Sequence, residues 1–115
     1  VMNIIGEVKD HRVLLVDDMN DTAGTICQAA AALQKQGALD VYGMATHPVL
    51  SGEAVARIEA SPFKKLFVTD TIPLKEEKRL DKIEVVGVGH LLAEAIDRIH
   101  NETTVSSLFL KFEDI

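Results

Sequence analysis

Tryptophan is absent from the chain, and one tyrosine and four phenylalanines are its only aromatics. Stacking on nucleobases is therefore not an evident strategy for it. A single cysteine, Cys27, stands among 115 residues; it cannot form an internal disulfide, and a reducing cytoplasm is the simplest setting. No apolar run approaches the roughly 20 residues that a membrane-spanning helix requires, and no signal-peptide pattern is visible. Positive charge is also scarce. Twelve Lys and Arg face 18 Asp and Glu, for a formal charge of −6, which argues against general binding to nucleic acid or a membrane surface. The longest basic clusters, Lys64-Lys65 and Lys78-Arg79, are short and read as solvated surface. No internal repeat or low-complexity stretch is apparent.

What is present points to one packed domain, or less than one, over residues 1–115. The 47% hydrophobic content supports a core, and 26% charged residues exclude a disordered acidic tail. The chain centres on Val13-Leu14-Leu15-Val16, an apolar run that predicts a strand buried on both faces. Asp17 and Asp18 follow at its carboxyl end, and then Asp21-Thr22-Ala23-Gly24-Thr25 leads into a helix. That helix, from about residue 22 to 36, carries Ile26, Ala29, Ala30 and Leu33 at i, i+3, i+4, i+7. Gly37 closes it as a left-handed cap. The first amides of a helix lack intrahelical acceptors and carry the positive end of its dipole, so a loop entering a helix makes an anion site. Gly24 lets backbone approach a ligand, and Thr22 and Thr25 add hydroxyl donors. Asp17 and Asp18 are poor ligands for phosphate but good acceptors for vicinal hydroxyls. Such a loop suits a sugar phosphate, with acids at one end and amides at the other. Asp21 has a second reading as a helix N-cap.

Further strands are expected at 40–46, 65–69 and 83–86. Ser51 is a plausible N-cap for a helix with Val55 and Ile58, ending before Ser61-Pro62. A third helix, 91–100, places Leu91, Leu92, Ala95, Ile96 and Ile99 on one side. Residues 75–82 read as an exposed, mobile connection. The tail, 105–112, reads as a short strand or an irregular docking segment. Alternating strands and helices imply a parallel α/β sheet, whose ligands bind beyond the carboxyl ends of the strands.

The stretch from Val13 to Thr25 resembles the phosphoribosyl-diphosphate loop of the type I phosphoribosyltransferase fold: a short apolar strand, two acids, then Asp-Thr-Ala-Gly-Thr. Downstream, Ala45-Thr46-His47-Pro48, Thr69-Asp70-Thr71-Ile72-Pro73-Leu74, Leu92-Ala93-Glu94-Ala95-Ile96 and Val105-Ser106-Ser107-Leu108-Phe109 extend the likeness. Together they resemble the carboxyl-terminal part of the ribose-phosphate pyrophosphokinase family over nearly the whole chain. The resemblance implies a three-layer parallel sheet incomplete at its amino-terminal side. It also implies transfer of diphosphate from ATP to ribose 5-phosphate, with magnesium as cofactor and dimers building a hexamer. Asp17 and Asp18 would face the ribose hydroxyls, and Asp21, Thr22, Ala23, Gly24 and Thr25 would wrap the 5-phosphate. Asn20 stands where relatives usually carry an aliphatic residue. The family's catalytic basic pair is expected upstream of Val1, since no matching motif occurs here, and Val1 preceding Met2 fits a chain that begins inside something larger. Thr104, Ser106 and Phe109 fall where bacterial relatives form a regulatory phosphate and nucleotide-diphosphate site; a docked surface tail is the alternative.

Other residues have plainer readings. His11, His47, His90 and His100 lack metal-ligand spacing, so no metal site is expected from them. Cys27 reads as a small packing residue. Three rivals compete for the function: a nucleobase phosphoribosyltransferase, a catalytically silent synthetase-like subunit, and a phosphoacceptor receiver domain. The receiver would use Asp17-Asp18 and Asp70. It has no use for the Asp21–Thr25 loop, and no Lys ends the 83–86 strand where a receiver needs one.

Overall fold

The computed structural model describes residues 4–109. Four parallel strands, β1 (Val13–Asn20), β2 (Val41–Pro48), β3 (Phe63–Thr69) and β4 (Ile83–Val86), lie side by side in chain order. Helix α1 (Gly24–Lys35) connects β1 to β2, and α2 (Ala54–Ala60) connects β2 to β3. A single 3₁₀ turn (Glu76–Lys78) lies between β3 and β4, and α3 (Gly89–His100) follows β4. The expected parallel α/β arrangement is present.

The core lies between the sheet and the pair α1 and α2. Ile26, Ala30 and Leu33 of α1 are buried as their spacing predicts, with Ala29 half-buried beside them. They meet Ala54 and Ile58 of α2 and the inner residues Val41, Ala45, Phe63, Leu66, Val68 and Ile83. Gly43 is an inner position where only hydrogen fits. A Cβ there would stand 2.6 Å from Leu66 Cδ1 and 2.9 Å from Phe63 Cε1. Gly37, with φ +94°, is the left-handed residue after α1.

Several local expectations are corrected. β1 is not buried on both faces among the described residues: Val16 is 70% exposed and Leu14 half so. It is an edge strand, and α1 and α2 cover only the face carrying Val13 and Leu15. The same open face carries Met44 and a stacked Tyr42–Phe67 pair with ring centroids 6.4 Å apart. Helix α3 buries none of its residues, and its apolar side is exposed, with Ile96 and Ile99 each 67% accessible. Helix α2 begins after Glu53, not at a Ser51 cap, because the Ser51 hydroxyl is spent on Asp21.

The connection at 75–82 is surface-lying yet tethered. Lys78 Nζ donates to the Val49 carbonyl at 3.0 Å. Lys82 Nζ reaches the end of α2, donating to the carbonyls of Glu59 at 2.9 Å and Ser61 at 2.6 Å. A cation at a helix carboxyl terminus satisfies carbonyls that have no amide partner.

The tail forms a second 3₁₀ turn (Ser106–Leu108); the expected continuation over 110–112 lies outside the described residues.

Candidate functional site

The carboxyl edge of the sheet carries a cavity of about 200 Å³, lined by Asp17, Met19 and the continuous run from Asn20 to Ile26. It is built by the way β1 hands over to α1. Ala23, not Asp21, is the N-cap residue: its backbone is left-handed, with φ +62°, and no side chain caps the helix. The N-cap reading of Asp21 is therefore corrected. Cys27 N–H donates to Ala23 C=O at 3.1 Å, which leaves the amides of Gly24, Thr25 and Ile26 without intrahelical acceptors.

The segment after β2 straps the loop from outside. Leu50 N–H donates to Asn20 C=O at 3.0 Å, and Ser51 N–H donates to Asp21 C=O at 3.0 Å. Arg57 Nη1 donates to Thr22 C=O at 2.9 Å, and the Ser51 hydroxyl donates to the Asp21 carboxylate. In a trans peptide the carbonyl and the following N–H point opposite ways. Three successive carbonyls drawn toward the strap therefore turn the N–H groups of Asp21, Thr22 and Ala23 the other way. The result is a run of free backbone donors at the positive end of α1, an anion nest by construction.

Asp17 supplies a carboxylate to the same cavity, although one of its oxygens also accepts the Asp18 N–H at 2.8 Å. Asp18 is not among the lining residues; adjacent strand positions project to opposite faces. Thr22, Ala23, Gly24 and Thr25 all line the cavity, which holds no Lys or Arg side chain. The nearest loop cation is Arg57, which acts from behind through a carbonyl.

Two contributors to the site carry no local signature. Ser51 reads as a cap and Arg57 is not singled out in the sequence, yet they contact loop residues 30 and 35 positions earlier in the chain. Their adjacency arises only from the β1–β2 pairing.

A second cavity, of about 390 Å³, lies behind the loop between α1 and α2; Gly24 is shared by both, and Cys27, Gln28, Arg57 and Ser61 line this one. Burial pushes the Cys27 thiol above its ordinary value of 9.0, against opposing effects of the Ser61 hydrogen bond and the nearby Arg57 and Lys82 charges. A packing cysteine with a protonated thiol fits this setting.

The remaining polar residues at the sheet edge hold each other. Thr69 Oγ1 and Thr71 Oγ1 both donate to Thr46 C=O, at 2.6 and 3.0 Å. His47 Nδ1 lies 2.8 Å from Thr71 Oγ1, and Asp70 accepts the Val88 N–H at 2.9 Å, pinning the turn into α3. In the tail, Thr104 and Ser106 hydroxyls are 2.8 Å apart, and Arg98 Nη1 donates to the Thr104 carbonyl at 3.2 Å. Phe109 is exposed beside them.

The chain also matches a known family. The phosphoribosyl synthetase-associated domain model covers residues 1–110. The chain belongs to that family. A ribose-phosphate pyrophosphokinase of Caldanaerobacter subterraneus subsp. tengcongensis is 58% identical over 109 residues, which is 95% of this chain and 34% of that protein. Ribose-phosphate pyrophosphokinase 1 of Streptococcus pneumoniae is 56% identical over the same coverage. The crystal structure of phosphoribosylpyrophosphate synthetase from Mycobacterium smegmatis superposes with a TM-score of 0.82 at 39% identity, covering 85% of this chain and 33% of that one. The chain thus spans about a third of the length of the relatives it matches.

The strand order also separates this family from the receiver rival. In the flavodoxin-like order a receiver adopts, the first strand lies between the second and third. Here β1 is at the edge and pairs with β2.

Proposed function

We propose that this chain is the ribose-5-phosphate-binding segment of a ribose-phosphate pyrophosphokinase. The observation that carries this reading is the strapped loop: backbone donors turned inward at a helix N-terminus, with the Asp17 carboxylate across the same cavity. The 5-phosphate sits on the amides and hydroxyls of residues 21–25. Ribose hydroxyls donate to Asp17, with Asp18 on the adjoining strand face. Held so, the sugar presents its anomeric hydroxyl away from the loop. That oxygen gives up its proton to solvent and forms a bond to the β-phosphorus of ATP, the bond from the β-phosphorus to the α-bridging oxygen breaks, and adenosine monophosphate leaves.

The segment supplies position rather than all the chemistry. No cation lines the cavity, so neutralisation of the transferring diphosphoryl group comes from outside it. Among the described residues no three His, Cys, Asp or Glu side chains converge. Magnesium in phosphoryl-transfer sites is held by substrate phosphates with one or two carboxylates, and Asp17 and Asp21 are the carboxylates available here. Bound in that way it would neutralise phosphate charge and orient the reacting oxygens.

The open sheet face and the apolar side of α3 fit a segment that packs on the rest of a longer, homo-oligomeric protein, as dimers building a hexamer. Among the described residues no helix is long and apolar enough to cross a membrane. A lone cysteine and an acidic surface agree with a cytoplasmic setting. Thr104, whose carbonyl accepts from Arg98, and Ser106, bonded to the Thr104 hydroxyl, form with Phe109 one end of a regulatory site on this reading.

The test is a titration of the chain with ribose 5-phosphate, with and without magnesium, following the backbone amide resonances of Asp21 to Thr25. Saturable shifts centred on that loop are expected. A well-folded sample whose loop amides do not move at millimolar sugar phosphate would refute the half-site.

A further inference from the structure

Asn20 is the one buried polar side chain among the described residues, at 3% exposure, and its Nδ2 has no hydrogen-bond partner among them. An amide donor cut off from water and left unpaired carries its full desolvation cost, and such groups are rare in folded proteins. The backbone explains none of it. Asn20 C=O is taken by Leu50 N–H, and no carbonyl among the described residues accepts from Nδ2. An aliphatic side chain of the same size would fill this position without an orphan.

The place of the orphan is informative. Asn20 ends β1 and lines the loop cavity, one residue before the donors of the nest. Asp17 and Asp21 are among the residues that line that cavity, and no Lys or Arg is. An anion there is opposed by the acids and held only by neutral donors, so one further N–H counts for more than it would in a basic pocket. The χ2 torsion of asparagine is broad and roughly two-fold. A half-turn exchanges the two polar atoms of the amide while the strapped backbone stays in place.

We propose that Asn20 is a specificity-determining residue of the sugar-phosphate site, whose unpaired amide N–H is taken by a phosphate oxygen of the bound ligand. This rests on the reading of the loop as a ribose-5-phosphate site and adds to it a side-chain donor outside the Asp21–Thr25 run.

The test uses the ¹⁵N-labelled 115-residue chain, titrated separately with ribose 5-phosphate, inorganic phosphate and ribose. The Asn20 side-chain NH₂ pair is expected to shift with both phosphate-bearing ligands and to stay still with ribose. Asn20→Leu is expected to weaken ribose 5-phosphate binding roughly tenfold or more, the worth of a hydrogen bond to a charged group. Its unfolding temperature should be unchanged or higher, since an orphan donor has been removed. A merely structural asparagine would give the opposite pattern, with lower stability and unchanged affinity. Asn20→Asp should bind more weakly still, because a carboxylate opposes the anion. Saturation of the wild-type loop with no movement of the Asn20 NH₂ pair, or full affinity in a folded Asn20→Leu chain, would overturn the inference and leave the half-site standing. The NH₂ readout needs no variant to fold. Failure of the unaltered chain to bind any phosphate-bearing ligand would remove both.

Discussion

Gly24→Val separates the fold of the loop from its capacity to bind. A Cβ built at Gly24 meets only Thr22 Oγ1, at 3.9 Å, which is ordinary van der Waals contact. Its φ is not in the left-handed region, so a side chain introduces no backbone strain. Position 24 opens α1, and valine is a better helix former than glycine by a few tenths of a kcal/mol. Stability should therefore stay within about 0.5 kcal/mol of wild type.

Binding is another matter. The nearest neighbour of that Cβ is a cavity-lining hydroxyl, so the two valine methyls extend into the space over the free amides of the helix. Two charge-assisted hydrogen bonds lost at about 1.5 kcal/mol each amount to roughly 3 kcal/mol, more than a hundredfold in affinity. Calorimetric titration with ribose 5-phosphate, paired with urea unfolding of the same samples, reads both quantities. Gly24→Ala adds only the Cβ and should stay within about tenfold of wild type, giving a graded series. A folded valine variant with undiminished affinity would show that the ligand does not use the amides at the start of α1. A valine variant that unfolds would show that the open space at Gly24 is misjudged.

Other consequences follow from contacts outside the loop. Arg57→Met keeps the aliphatic stem in the second cavity but frees the Thr22 carbonyl; sugar-phosphate affinity should fall roughly fivefold with less than about 1 kcal/mol lost in stability, by the same paired measurements. Gly43→Ala drives a methyl against Leu66 and Phe63, and urea unfolding should register a loss of about 1–3 kcal/mol. Cys27 has a folded-state pKa above the ordinary 9.0. The folded chain therefore holds its proton at pH values where the unfolded chain has released it. Its contribution to stability is complete below the unfolded-state value and is lost as pH rises through the folded one. Wild type should lose stability relative to Cys27→Ala above about pH 9 in thermal melts. At pH 8, iodoacetamide should alkylate Cys27 more slowly than it does a free thiol.

The sequence alone determines a great deal here, because the deciding signals are local. An apolar run before two acids, a helical period starting at Ile26, a left-handed Gly37 and regular alternation of elements are each legible within a dozen neighbours. They set the four parallel strands, the order of helices and the loop as the expected ligand position by chemistry alone. Tertiary structure decides what the loop presents. Its carbonyls turn outward because Leu50, Ser51 and Arg57 stand behind it, and that depends on β1 lying against β2. Asp21 gives up the cap to Ala23 because Ser51 holds its carboxylate. Asn20 becomes a buried orphan only when the chain returns over it at Pro48 and Leu50. The exposed faces of β1 and α3 carry the same lesson in reverse: an apolar pattern states that a surface is to be covered, and the covering partner is not written beside it.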